Sequence, residues 1–274
     1  MKISVVIPCY KGEKYISKCL ENLLAQNYKD LEIIVVVDGN LDRTAEIASK
    51  YPVKVVVLEK NRGVSIARNT GIKEATGDYI HFMDVDDEIS DDFYTNLSAA
   101  VQKTGADIAC AGIIHERQPY KCQIFDKENL ASSTSEKMRI TWVGKWGYVW
   151  RYLIRKSMLL KHRLFFEAGR IVEDLPFSFK ALYYADKVVT VPDAVYIYRS
   201  NENSILTTRT PERKLRLRTD RQHSVQIIRS FAKEHNFTIP ALGCNFGLLA
   251  YVARKCYIGT VVKCRKKFST FLTS

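Results

Sequence analysis

Apolar positions along the chain fall into short continuous runs that alternate with helically spaced stretches. Ile3–Ile7 is apolar, and Pro8 ends the run. Across Glu13–Gln26, the residues Tyr15, Ile16, Cys19, Leu20, Leu23 and Leu24 fall on one side at helical spacing. Leu31–Val37 is a second apolar run, stopped by Asp38-Gly39. Leu41–Lys50 predicts a short helix, and Val53–Leu58 a third strand. Asn61-Arg62-Gly63 turns the chain into a helix over Val64–Ala75, and Tyr79–Met83 is the fourth strand. Such alternation implies right-handed βαβ units and a mostly parallel sheet flanked by helices. Strands that are apolar throughout suit a sheet covered on both faces.

Further on, Asp92–Lys103 predicts an amphipathic helix. Asp107–His115 predicts a strand, and Lys121–Phe125 another. Asn129–Glu136 is rich in Ser and Thr and reads as a loop. Trp142, Trp146, Tyr148, Trp150 and Tyr152 crowd into one short stretch, and aromatic residues are first of all core material. Glu173–Ala185 is helical, and Lys187–Tyr198 is a strand. From Thr207 the chain turns helical and basic. Pro211 suits a first helical turn, and Leu215, Leu217, Val225, Ile228 and Phe231 supply apolar faces. Ile239–Ala253 is apolar but shorter than the about 20 residues a membrane span needs. The pattern divides the chain into an α/β domain over 1–206 and a basic helical module over 207–274.

Composition changes this picture little, and charge changes it more. A chain of 274 residues, 46% hydrophobic and 26% charged, can bury a sizeable core. Its net charge of +12 is uneven, because 207–274 holds fourteen Lys/Arg against Glu212, Asp220 and Glu234, which is +11. The basicity therefore belongs to the C-terminal module. It points toward an anionic membrane surface, or else to a solvated basic helical bundle packed on the main domain; no nucleic-acid reader motif accompanies it, and nucleic acid is not expected as a partner. Seven scattered cysteines without a Cys-x-x-Cys pair argue against a disulfide framework or structural zinc. The chain opens directly on a strand pattern without signal-peptide features. The expected location is the cytoplasm, with peripheral attachment to the inner face of the membrane.

The candidate chemistry gathers at Tyr79–Glu88, where an apolar run ends in acid. Asp84, Asp86 and Asp87 follow the fourth strand, at the sheet edge where open α/β folds bind ligands. Carboxylates this close repel unless a cation sits among them. Mg²⁺ or Mn²⁺, held by one or two carboxylates and a substrate phosphate, would suit. The plainer alternative is a solvated acidic turn, with Ser90 or Asp91 opening the next helix. Pro8, Tyr10 and Asp38 end strands that reach the same edge. There Tyr10 can stack on a base and Asp38 can accept a base N–H, or the three can simply terminate strands and fill turns. No Walker A loop and no Gly-x-Gly-x-x-Gly is present.

Four motifs in order, Ser4–Tyr10, Leu31–Asp42, Asn61–Gly71 and Ala75–Asp87, resemble the family 2 glycosyltransferases of GT-A fold. These enzymes carry a Val-Ile-Pro-x-Tyr-Asn start, an Asp-Asp-Gly-Ser strand end, a Gly-x-x-x-Ala-Arg-Asn helix and an Asp-x-Asp-Asp strand end. Lys11 here replaces the Asn, Val37 the first Asp, and Asn40-Leu41 the Ser-Thr that usually follows the Gly. Val149–Arg155, Glu173-Asp174, and Tyr198-Arg199 followed by Ser204-Ile205 resemble later family segments, so the likeness spans about 1–205. It implies a nucleotide-sugar-binding half over 1–104 and an acceptor-binding half over 105–206. The implied reaction is inverting transfer of a sugar from a nucleotide-diphosphate donor, UDP-linked, to a saccharide or lipid-linked acceptor in surface polysaccharide assembly. Carried over by position, Pro8, Tyr10, Glu13 and Asp38 border the nucleoside, and Arg68 holds the nucleotide. Asp84 and Val85 lie at the donor, and Asp86 binds Mn²⁺ or Mg²⁺. Glu173 and Trp146 meet the acceptor. Asp174 takes the acceptor's proton, unless the two acids only serve a helix dipole. Arg199 reaches the diphosphate or pairs with an acid. Two other readings stand beside this one: a degenerate nucleotide-sugar-binding protein, and a sugar nucleotidyltransferase. The second would favour a Gly-rich basic loop that Pro8–Lys14 does not provide.

Overall fold

Four parallel strands realise the alternation read from the first hundred residues. The computed structural model describes residues 1–116, 122–144, 147–199 and 210–237. Trp146, Ser204-Ile205, Ile239–Ala253 and the Arg265-Lys266-Lys267 cluster lie outside these residues. Strand β1 (Ile3–Cys9) pairs in parallel with β2 (Leu31–Asp38) on one side and with β4 (Tyr79–Phe82) on the other. Strand β3 (Lys54–Leu58) extends the sheet beyond β2. Cys9 lies opposite Val37, Val6 opposite Phe82, and Asp38 opposite Leu58. The carboxyl ends of these strands therefore share one edge, and the loops that leave it hold the predicted donor residues.

Helices α1 (Ile16–Leu24), α2 (Thr44–Ala48) and α3 (Val64–Glu74) are the crossovers, and α4 (Phe93–Thr104) follows the short strand β5 (Glu88–Ile89). Ile3, Val5 and Ile7 pack with α1 and α4 on one face of the sheet. Val6, Ile34 and Val36 pack on the other face, in the core that takes in Ala67 and Ile72 of α3. Burial on both faces is why β1 and β2 are mostly apolar on both sides rather than alternating.

The second half completes a nine-stranded sheet among the described residues, eight strands in the order β3-β2-β1-β4-β8-β6-β9-β5 and a ninth, β7 (Asn129–Ala131), paired with β9 off this path. Here β6 is Ile108–His115, β8 is Tyr152–Arg155 and β9 is Val188–Tyr198. The parallel pairing expected from the first half recurs between β6 and β9. Strand β8 runs antiparallel to both β4 and β6, so the sheet is mixed. A register shift between Ala111 and Gly112 bends the long β6–β9 pair.

Three sequence expectations need correction. Asn129–Glu136 is not a loop: β7 (Asn129–Ala131) pairs with β9, and α5 (Thr134–Thr141) follows. Ser133 accepts the Glu136 N–H at 3.3 Å and donates its hydroxyl to the Glu136 carboxylate at 3.0 Å. Ser133 is thus the side-chain N-cap of α5, which explains the Ser/Thr content. Of Lys121–Phe125, the described part forms one bridge, Ile113 to Gln123, rather than a strand. In the basic helix α8 (Pro211–Glu234), Leu215 stays 65% exposed. The buried face is instead Asp220, Ser224, Ile228 and Phe231, and the last two join the core containing Phe177 and Phe179 of α7 (Asp174–Tyr184). Pro211 does sit in the first turn, behind a Thr210 cap.

Candidate active site

The loop after β4 carries the acids. Tyr196 on β9 sits beneath it: its hydroxyl accepts the Asp84 N–H at 3.2 Å and donates to Asp87 at 2.8 Å. The Arg199 N–H also donates to Asp87, at 2.8 Å. Asp87 is buried, and burial, followed by the charges of Asp84 and Asp86, pushes its carboxyl well above the usual range. Asp87 therefore anchors the loop, leaving Asp84, Val85 and Asp86 half-buried at the sheet edge.

From α3, Arg68 joins the two halves of the domain. It is 4% exposed and donates to Asp84 at 2.9 Å and to Glu173 at 2.6 Å. Arg68 is therefore a buried ion-pair partner and not a surface helix arginine. Glu173 is itself buried, so this ion pair is desolvated and depends on its geometry. Asp174 opens α7 one residue later. Burial, then the charges of Glu173 and Asp84, raise its carboxyl to about 7 against the opposing pull of Arg68 and the Leu175 N–H. An acid balanced in this way is ionised in much of its population near neutral pH. In that form it can accept a proton.

The nucleoside side is built from turns. Asp38, buried at the end of β2, accepts the N–H of Arg62 at 2.7 Å and of Gly63 at 2.8 Å. Gly39 follows at a φ of +87°, and a Cβ there would stand 2.9 Å from the Asn61 nitrogen. Asp38 thus positions the turn into α3 with both of its oxygens. Glu13 accepts the Arg43 N–H at 3.1 Å and gives its own N–H to Asp42 at 3.1 Å, tying the loop after β1 to the loop after β2. Pro8 is half-buried, and the Tyr10 ring is 47% exposed with Lys11 Nζ 5.5 Å from its centroid. A base can therefore reach this ring.

Arg199 is committed to acids here, with Glu88 at 2.6 Å and Glu116 at 3.2 Å. Trp150 stacks between Tyr148 and Tyr196 with centroids 4.8 and 4.2 Å away, so these aromatics are core and support the site from below. His81, in the middle of β4, bridges the Tyr94 hydroxyl at 2.8 Å and the Trp150 carbonyl at 2.6 Å. Burial pushes it down to about 4, so it stays neutral and structural.

Sequence reasoning missed Tyr196, Asp87 and Asp42 as organisers of these loops. Asp42 alone carried a local signal, a turn acid two residues before Thr44, whose N–H it accepts at 3.0 Å.

Comparison with known proteins agrees with this arrangement. The sequence profile of "Glycosyl transferase family 2" matches residues 4–161, more than half of the chain. The Bacillus subtilis glycosyltransferase EpsJ is 33% identical over 219 residues, covering 74% of this chain. The chain spans only 62% of EpsJ's length. Among solved structures, Staphylococcus aureus TarS 1–349 in complex with UDP-GlcNAc superposes with a TM-score of 0.70 at 24% identity, over 86% of this chain and 72% of that one. A mannosyltransferase from Pyrobaculum calidifontis in complex with GDP-Man and Mn²⁺ gives a TM-score of 0.55 at 16% identity, over 97% of this chain and 86% of that one. These two likenesses speak for the fold. The profile match over β1–β4 and the segments that carry Asp38, Arg68 and Asp84 speaks for the lineage, and on that ground the chain belongs to the family 2 glycosyltransferases.

Proposed function

We propose that the protein transfers a sugar, with inversion, from a nucleotide-diphosphate sugar, UDP-linked, to a saccharide or lipid-linked acceptor of cell-surface polysaccharide. The observation that carries this reading is Asp174. Its carboxyl is raised to about 7 and stands beside the Asp84–Arg68–Glu173 chain of ion pairs. An acceptor hydroxyl is a poor nucleophile, and a carboxylate poised near neutral pH can take its proton during attack. Tyr10 would stack on the base, Pro8 and Glu13 would border it, and Asp38 would hold the turn beneath it. Asp84 and Val85 would flank the ribose and diphosphate. Glu173, and Trp146 outside the described residues, would meet the acceptor. Arg199 would serve the diphosphate only on leaving Glu88.

The residues present suit a divalent ion. Asp84 and Asp86 both raise the Asp87 carboxyl, which is the repulsion that a cation among them relieves. Among the described residues, no group of three or more His, Cys, Asp and Glu side chains could hold an ion, so phosphate oxygens would have to complete the shell. Asp86 would hold Mn²⁺ or Mg²⁺, which would neutralise charge on the departing diphosphate. The solved neighbours' donors, UDP-GlcNAc and GDP-Man, and the Mn²⁺ in one of them support this choice.

The test is thermal stabilisation by a panel of nucleotide sugars with and without Mn²⁺, since a ligand that binds only the folded state must raise its apparent stability. One donor should stabilise the protein in a metal-dependent way, and Asp86→Ala should lose the metal dependence. Equal stabilisation of that variant with Mn²⁺ would remove Asp86 from the metal site. A nucleotide-sugar-binding protein without turnover would stabilise equally well, and donor cleavage separates it from an enzyme.

A further inference from the structure

Helix α8 holds the segment that leads into the proposed base. Arg216, Asp220, Ser224 and Ile228 are spaced four apart and form one stripe. Asp220 is 3% exposed, an unusual place for an acid on an otherwise basic helix. Its two oxygens take the Arg170 guanidinium at 3.0 Å and the Ile171 N–H at 3.1 Å. One turn on, the Ser224 hydroxyl lies 2.7 Å from the Val172 carbonyl. One turn back, Arg216 donates to the Gly169 carbonyl at 3.2 Å. Four consecutive residues, 169 to 172, are thus gripped from one side, and Glu173 and Asp174 come next.

The start of α7 needs such an anchor. Glu173 occupies the cap position but makes no side-chain cap hydrogen bond, because its carboxylate is drawn away to Arg68. Gly169, at a φ of +80°, turns the chain just before the gripped stretch. Asp174 is therefore placed by contacts outside its own helix.

We propose that Asp220 is a positioning residue, which through Arg170 and Ile171 fixes the entry to α7 and so holds Asp174 at the acceptor side of the site. This rests on the reading of Asp174 as base. Small displacements of a reacting group cost much in rate, about a hundredfold for 1 Å. The groups facing Asp174 are Glu173 on its own turn, Arg68 from α3, Asp84 from the β4–β5 loop, and Tyr148 and Tyr152 from in and before β8. Asp220 reaches Asp174 through the backbone, by way of the Ile171 N–H.

The experiment compares wild type, Asp220→Ala and Asp220→Asn in the full chain, with UDP-N-acetylglucosamine and Mn²⁺ as probe. Two readouts are taken: amide exchange at residues 170–175, and kcat against donor KM for release of UDP. Asp220→Ala should exchange faster there and lose about tenfold or more in kcat with donor KM unchanged. Asp220→Asn keeps an acceptor for the Ile171 N–H and should recover most of the rate. Unchanged exchange in Asp220→Ala, or faster exchange with wild-type kcat, overturns the proposal. Should Asp220→Ala not fold, Ser224→Ala, which removes the Val172 contact and the hydroxyl's bond to the Asp220 carbonyl within α8, is read in its place. A wild-type chain that never cleaves the probe counts against that donor or the functional reading rather than the clamp. The ¹³C titration of the Asp174 carboxyl then replaces turnover, and an identical midpoint in wild type and Asp220→Ala overturns the clamp.

Discussion

At the residue scale, Asp174 carries a cost that can be measured apart from any reaction. Its carboxyl is raised to about 7 in the folded chain, chiefly by burial, against about 4 when unfolded. Below pH about 4 both states are protonated and the group is neutral to stability. Between the two values the unfolded state ionises first, so stability falls as pH rises, and it levels off above about 7. Asp174→Asn removes this slope. Urea titrations from pH 4 to 8 should show the variant gaining on wild type as pH rises and holding its lead above 7; parallel curves would show that the carboxyl is not raised. The acids themselves were legible in the sequence, since Asp84, Asp86, Glu173 and Asp174 form clusters that need explaining. Their partner was not. Arg68 looks like any helix arginine until folding brings Glu173 to it from 105 positions away.

At the scale of elements, β9 supports the acidic loop through the Tyr196 hydroxyl, beside the Arg199 N–H just past its end. Tyr196→Phe would leave the Asp84 N–H without that acceptor and the buried Asp87 carboxyl without one of its donors. Leaving buried polar groups unpaired costs about 1–3 kcal/mol each. We expect a loss in this range by chemical denaturation and weaker metal-dependent donor binding, whereas a variant as stable as wild type would mean that the loop is held elsewhere. Ser133→Ala should cost about 1 kcal/mol through the lost cap of α5, with no effect on donor binding. Strands β1, β2 and β4 could be read from the sequence because each is largely buried on both faces and so is mostly apolar, and the part-buried β3 because of its Val run. Strand β8 could not be placed so. Its four residues run antiparallel between β4 and β6, and that insertion depends on contacts distant in sequence. The β7–α5 segment was hidden because the Ser and Thr that cap a helix are also the residues of loops.

At the scale of the whole molecule, the basic C-terminal region begins by joining the core. Ile228 and Phe231 of α8 pack with α7, and Asp220 holds the entry to the site, so a cut at the charge boundary near 206 would remove structural contacts. The reading of a membrane-attracted surface is therefore tested better by truncation after Phe237, which spares α8. Each Lys or Arg near an anionic leaflet contributes about 1 kcal/mol, so the full chain should sediment with anionic liposomes, less so at high salt, and the truncated chain should not. Equal recovery of both chains in the supernatant would remove the membrane from the account. Among the described residues no helix is long and apolar enough to cross a membrane. The account as a whole depends on a sugar donor being cleaved at the edge that joins Asp84 to Asp174. The most direct measurement is the pH dependence of donor cleavage, in the presence of Mn²⁺, for wild type and Asp174→Asn. The wild-type rate should rise with pH through a midpoint near 7. Asp174→Asn should still bind the donor but cleave it at least about a hundredfold more slowly, without that rise. Normal turnover in the folded Asp174→Asn protein would contradict the account at its centre.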